Sequence, residues 1–186
     1  MRREALSLRI VAGELKGRKL VSPAGNQIRP TSDKVKEAVF SMLMQYTPDA
    51  VVLDLFSGTG SLGLEALSRG AKRVYFADSS KESVNLTKRN IEICKSVENT
   101  VCMHGDWSIV LRRLREKFDI IFLDPPYQEE LIDRCIGDIR TLDLLKPKGI
   151  IVVEHGEKQI MPEGLHGFDR IKEKKYGDTY ITIYTH

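Results

Sequence analysis

Leu53 to Leu67 reads LDLFSGTGSLGLEAL. The apolar run that begins at Val51 stops at Asp54, and glycines follow at 58, 60 and 63 with the spacing G-x-G-x-x-G. An apolar run bounded by a Gly-rich turn predicts a buried strand over Val51–Leu55, and Ser61–Arg69 reads as a helix ended by Gly70. This strand–loop–helix unit opens a doubly wound α/β fold, in which the glycines let the backbone come close to a ligand. An acid, Asp78, stands 20 residues after Gly58, where dinucleotide-binding proteins hold a ribose hydroxyl. The loop therefore fits either a dinucleotide or another ligand with a ribose.

Working outward, strands are predicted at Arg73–Ala77, Thr100–Met103, Asp119–Leu123 and Gly149–Val153. Helices at Lys81–Cys94, Trp107–Glu116 and Glu129–Leu144 alternate with them. Continuous apolar strands alternating with helices imply a parallel sheet covered on both faces. The chain closes differently. Phe168–Lys175 and Thr179–Tyr184 are separated only by Tyr176, Gly177 and Asp178, too few residues for a helical crossover, so this pair should be antiparallel. The expected fold is a Rossmann-like α/β sheet of seven mostly parallel strands, the last antiparallel, with helices on both faces. Before it, Arg9–Ser22 reads as a β-hairpin with its turn at Lys16-Gly17, Pro23–Pro30 as a connector, and Thr31–Tyr46 as a helix capped by Thr31 or Ser32. The division expected is a basic arm and connector over 1–30 and one α/β domain over 31–186.

Composition narrows the class. The 186 residues are 41% hydrophobic and 30% charged, an ordinary globular balance, and no apolar run is long enough to span a bilayer. The N-terminus lacks the apolar core of a signal peptide. Cys94, Cys102 and Cys135 are odd in number and have no CxxC spacing, and the four histidines are scattered. These features predict a cytoplasmic protein with reduced thiols and no metal site. Net charge is only +3, but residues 1–36 carry +6 and the remainder −3. A basic arm on a near-neutral body is the asymmetry of a polyanion binder.

Asp54 discriminates between the ligands. A carboxylate at the strand end repels a pyrophosphate and attracts an ammonium or sulfonium. S-adenosylmethionine (SAM) carries both cations and a ribose, and no phosphate. Asp78 would then accept from the ribose hydroxyls, and Asp106 with Trp107 would meet the edge and face of the adenine. Asp78 also suits a helix cap, and a lone tryptophan is more often a core residue than a stacking platform.

The second motif is FLDPPYQ, Phe122 to Gln128. Two prolines fix two φ angles and remove two donors, leaving Asp124 and the carbonyls of Pro125 and Pro126 as rigid acceptors beside the ring of Tyr127. That arrangement suits an aromatic amine stacked on Tyr127. Acceptors on its hydrogens turn the delocalised lone pair towards an electrophilic methyl group, so that positioning supplies most of the rate. Asp124 is also placed to take the released proton.

With both motifs in hand, the chain resembles class I SAM-dependent methyltransferases that modify exocyclic amines. RIVAGELKGRKL (9–20), RPTSDKVKEAVFSML (29–43), DLFSGTGSLGLEALSRGA (54–71), LDPPY (123–127), EHG (154–156) and YGDTYITIY (176–184) narrow the resemblance to the RsmD family. Members of that family methylate N2 of a guanine in small-subunit (16S) ribosomal RNA. The resemblance implies that Asp54, Ser57, Gly58, Thr59, Gly60 and Gly63 line the methionine side of SAM. It places Asp78 at the ribose, one methylene shorter than the family's usual Glu, Asp106 at the adenine, and Asp124–Tyr127 at the target base. Arg29 and Thr31 would close over the cofactor or base, and Arg9, Lys16, Arg18 and Lys19 would hold RNA phosphates. The implied partner is small-subunit rRNA, within a partly assembled subunit, met by a monomer.

Competing readings explain less. An NAD-dependent oxidoreductase accounts for the glycines and Asp78 but not for Asp54 or DPPY. A pyrimidine C5 methyltransferase needs a nucleophilic cysteine, typically after proline, and no Pro-Cys occurs. A DNA adenine methyltransferase fits DPPY, but 186 residues leave little room for a domain that reads duplex sequence. A non-enzymatic RNA-binding module would explain the basic arm alone.

Overall fold

The computed structural model describes residues 8–23, 33–126 and 129–186. In chain order the elements are α1 (Asp33–Met42), β1 (Val51–Asp54), α2 (Ser61–Ser68), β2 (Arg73–Asp78), α3 (Lys81–Cys94), β3 (Thr100–His104), α4 (Trp107–Arg113), β4 (Phe118–Leu123), α5 (Glu129–Thr141), β5 (Leu145–Gly156), β6 (Gly164–Leu165), β7 (Phe168–Tyr176) and β8 (Thr179–Thr185). They build one sheet in the order β3-β2-β1-β4-β5-β8-β7-β6. The first five positions are parallel, β8 runs antiparallel to both β5 and β7, and β6 antiparallel to β7.

The sheet has eight strands where seven were expected. The extra one, β6, is a two-residue edge piece with no apolar run to announce it. The helices α1, α4 and α5 are shorter than their periodicity suggested, α5 ending at Thr141 and not at Leu144. α1 gives way after Met42 to a turn in which Thr47 Oγ1 donates to Leu43 O at 2.9 Å. α4 ends at Arg113 because Leu114 turns extended, with ψ 142°. The expected caps of α1, Thr31 and Ser32, lie outside the described residues.

Alternation along each strand sorts the core into two layers. Val52 of β1, Phe122 of β4 and Val152 of β5 face one side, packed with Phe40 of α1, Leu64 of α2 and Ile91 of α3. Leu53, Ile121 and Val153 face the other, packed with Leu111 of α4 and Ile136 of α5. Strands so covered must be apolar on both faces, which is why Val51–Leu53 and Ile120–Leu123 read as unbroken runs.

The N-terminal arm joins the first layer. Leu8, Ile10 and Leu20 are buried in it. In place of a full hairpin, a single antiparallel bridge, Arg9 to Lys19, closes a run of turns. The arm's polar groups are met by helix side chains. Glu65 of α2 accepts from the amides of Val11 (2.8 Å) and Ala12 (3.0 Å). Ser68 accepts from Leu15 N and donates to Ala12 O. Asn90 of α3 pairs with both main-chain groups of Val21. Gly13, at φ +84°, lies so close to α2 that a Cβ there would sit 1.8 Å from the Ser68 carbonyl oxygen. Among the described residues, no helix is long and apolar enough to cross a membrane.

Candidate active site

The chain runs β1 to β2 to β3 in one direction and then crosses back to β4 and β5. The crevice at such a reversal, outside the carboxyl ends of β1 and β4, is where open α/β sheets bind ligands. The glycine loop and Asp124 both lie there.

The loop is held from beneath. Gly58 and Gly60 adopt φ +53° and +78°. Thr87 Oγ1 donates to Gly58 O at 3.0 Å, and Asn90 Nδ2 to Thr59 O at 2.8 Å. Ser57 N donates to Ala77 O, and Ser57 Oγ lies 3.4 Å from Thr87 Oγ1. Gly63 lets α2 rest directly on β2, since a Cβ there would fall 2.3 Å from the ring of Phe76. Thr87 and Asn90 belong to no motif. Their one sequence signal is a polar residue on the buried stripe of α3, whose other members are Val84, Ile91 and Cys94.

Asp54 is 2% exposed and its Oδ2 accepts from Gly63 N at 3.1 Å. Burial pushes its carboxyl up to about 7, against the lowering pull of that hydrogen bond, and the Asp78 charge adds to the rise. Because the folded state holds this proton more tightly than the unfolded chain, the associated stability is present below about pH 4 and lost as pH rises through 7. The full cost of the charge is roughly 4 kcal/mol. Denaturant titrations across pH 5 to 8 should therefore show wild-type stability falling as pH rises. Asp54→Asn should flatten that decline, and equal slopes would mean that Asp54 is already ionised at pH 5.

Asp78 also serves the loop. Its Oδ2 accepts from Gly58 N (2.9 Å) and its Oδ1 from Ser80 N (2.8 Å). Each oxygen keeps a further lone pair for a ribose hydroxyl. Asp106 caps α4, accepting from Ser108 N and Ser108 Oγ, and the Ser108 hydroxyl chiefly holds its carboxyl below the ordinary range. Trp107 is half-buried, with the Arg134 guanidinium 5.5 Å from its ring centroid.

Asp124 follows β4 on the same face as Asp54 and Glu154. Val52, Phe122 and Val152 share a layer, and each carboxylate stands two residues beyond one of them. Leu123 pairs with Val153, so Asp124 and Glu154 leave the sheet side by side. Burial, then the charges of Glu154 and Asp54, holds the Asp124 carboxyl well above the usual carboxylate range. Pro125 is buried and Pro126 exposed. Tyr127, Arg29 and Thr31 lie outside the described residues. A wider groove of about 640 Å3 lies between α4 and α5, with Trp107 and Ser108 in its lining. Its arginines, Arg112, Arg134 and Arg140, are offset by Asp133 and Asp138, and it holds none of the three carboxylates.

Of the arm's expected phosphate-binding residues, Lys16 and Lys19 are exposed. Arg9 pairs with Asp33 at 2.8 Å, and Arg18 donates to Ile93 O at 3.1 Å. Among the described residues no group of His, Cys, Asp and Glu is arranged to hold a metal.

A five-strand parallel sheet extended by an antiparallel β8 and then by β7, with a glycine loop and acids at its strand ends, defines a Rossmann-like class I methyltransferase fold. Solved structures with the same architecture include the yhhF protein of Escherichia coli (TM-score 0.85, 28% identity, 96% of this chain and 97% of that one). The HI0767 protein of Haemophilus influenzae also matches (TM-score 0.79, 34% identity, 96% and 97%). The chain belongs to the family described as conserved hypothetical protein 95, the RsmD family, whose model matches residues 8–185. Among curated relatives, ribosomal RNA small subunit methyltransferase D of H. influenzae is 36% identical over 95% of this chain and 93% of its own. The E. coli protein of that name is 29% identical over 95% and 89%.

Proposed function

We propose that this protein transfers the methyl group of SAM to the exocyclic N2 amine of a guanine in small-subunit rRNA. The observation that carries the reading is the placement of Asp124, in a rigid Asp-Pro-Pro turn, on the same sheet face and at the same strand ends as the Asp54 carboxylate and the glycine loop. Relatives named small subunit rRNA methyltransferases support the choice of RNA.

SAM supplies an electrophilic methyl group. Asp54 would face its α-ammonium and Ser57–Gly63 its methionine portion. Asp78 would take the ribose hydroxyls, and Asp106 with Trp107 the adenine. Arg29 and Thr31 would close over the cofactor or base. Asp124 and one main-chain carbonyl of the turn would accept the two hydrogens of the guanine amine, and Tyr127 would stack on the ring. The N2 lone pair forms the new N–C bond as the S–C bond breaks, S-adenosylhomocysteine leaves, and Asp124 is placed to receive the N2 proton. Since positioned acceptors act only on the correctly oriented amine, orientation supplies most of the rate.

The arm, residues 1–30 with the connector, would bring the RNA to a domain over 31–186 through Arg9, Lys16, Arg18 and Lys19. Replacing Lys16, Arg18 and Lys19 together by Ala should weaken rRNA binding and reduce the slope of log K against log salt by about 2. A filter-binding titration with an unchanged slope would move the RNA contact off the arm. We further propose that the monomer acts in the cytoplasm on partly assembled small subunits, because so small a chain leaves much of the target's shape to ribosomal proteins.

The direct test is transfer from labelled SAM to unmethylated small subunits, naked small-subunit rRNA and duplex DNA, with the modified nucleoside identified by mass spectrometry. N2-methylguanosine from subunits is the expected product. N6-methyladenine in DNA, or no product in any acceptor, would overturn the assignment.

A further inference from the structure

Three carboxylates share one face at the ends of β1, β4 and β5, and the proposed chemistry uses two of them. Glu154 is the third. It is half-buried, pairs across the sheet with Ile181, and lines a cleft with Asp124, Val39, Leu62, Phe122, Leu123, Val152 and Ile181. The cleft measures about 10 Å3. That is room for one water-sized group, not for a ring. Its floor is apolar and its polar lining is two acids, so a ligand edge that reaches in is met by acceptors.

We infer that Glu154 reads the target base, accepting the ring N1–H of guanine while Asp124 accepts from the adjacent N2 amine. This rests on the function proposed above and deepens it. Guanine alone among the standard bases carries a ring N–H donor beside its exocyclic amine. In adenine and cytosine the ring nitrogen beside the amine is an acceptor, which a carboxylate repels. Parallel strands about 4.8 Å apart hold the two acids at a separation that adjacent donors of one base edge can span. The same donors relieve the repulsion of two carboxylates held side by side, which adds to burial in raising the proton affinity of Asp124. A flipped base is selected through this Watson–Crick edge, and a site built to hydrogen-bond a donor rejects the analogue that lacks it.

The test uses small subunits reconstituted with rRNA ligated from synthetic fragments. At the guanine that the wild-type enzyme labels, the fragments carry guanosine or 2-aminopurine riboside. The second base keeps the N2 amine but has an acceptor at N1. Wild type should prefer guanosine by about 100-fold in kcat/KM, the effect of losing a hydrogen bond to a charged group. Glu154→Gln should bind SAM within about twofold of wild type, lose most guanosine activity, and reduce the preference to a few-fold, since an amide can donate to the N1 acceptor. Equal losses on both substrates, with the preference intact, would reduce Glu154 to a structural part and overturn the inference. If Glu154→Gln fails to bind SAM, Glu154→Asp decides. A preference that falls several-fold below the wild-type value, because the shorter acid no longer reaches N1–H, supports base reading, and one equal to wild type overturns it. Absence of N2-methylguanosine from the wild-type reaction would instead sink the guanine assignment, before any variant is compared.

Discussion

Asp124→Asn should lower single-turnover methyl transfer by at least about 10³-fold while changing SAM affinity by less than about threefold. The substitution keeps the volume of the side chain, and it removes the charge and one acceptor from the site proposed to orient the amine. The proposed cofactor site lies over β1 and β2, where Asp54 and Asp78 organise the loop through hydrogen bonds that do not involve Asp124. The variant should also be more stable than wild type at neutral pH. In the wild type a carboxyl held above its ordinary range by burial, Glu154 and Asp54 is costly to ionise, and the amide removes that cost. A thermal midpoint that rises as activity disappears is the pattern of a side chain kept for chemistry. Calorimetric titration with SAM checks the separation of roles, and joint loss of binding and transfer would refute it.

Glu65→Ala should cost about 3 to 5 kcal/mol and lower the melting temperature by on the order of 10 °C. Glu65 is fully buried on α2. It accepts from Val11 N, Ala12 N and Arg69 Nε, and its charge supports the protonated form of Lys36. Lys36 is itself fully buried on α1, donating to Arg9 O and to Ser61 Oγ at the start of α2, and burial lowers its proton affinity. Truncating Glu65 leaves two arm amides without their acceptor and a buried ammonium without its main counter-charge. Because the arm is proposed to bring in the RNA, rRNA affinity should fall with stability. A double-mutant cycle with Lys36→Met measures the pair directly. A coupling above about 1 kcal/mol is expected, and additive losses would show that the two charges do not communicate.

The parts of this fold that follow from local chemistry were legible. The runs at Val51 and Asp119, the glycine turn between Asp54 and Ser61, and the short link before Thr179, which narrows to Gly177 and Asp178 because Tyr176 joins β7, each specify a buried strand, a loop or a hairpin by what neighbouring residues can and cannot do. Asp54 could be read as hostile to a pyrophosphate from charge alone. The resemblance carried by the two motifs and the chain ends led to the family that the comparisons show.

Other features depend on elements far apart in sequence. The hairpin at residues 168–185 predicts an antiparallel pair but not that β8 inserts between β5 and β7, because strand order depends on which edge remains open after β5 forms. Thr87 and Asn90 look like polar residues on an amphipathic helix, and only the docking of α3 against the glycine loop shows what they hold. Glu65 reads as an ordinary helix residue until the arm folds over it. The alignment of Asp54, Asp124 and Glu154 is likewise a property of register. The sequence determined that each strand ends near an acid, since periodicity and turn chemistry act over a few residues. The tertiary structure alone decided that three such ends share one face, because pairing across β1, β4 and β5 depends on packing between segments about 70 and 30 residues apart.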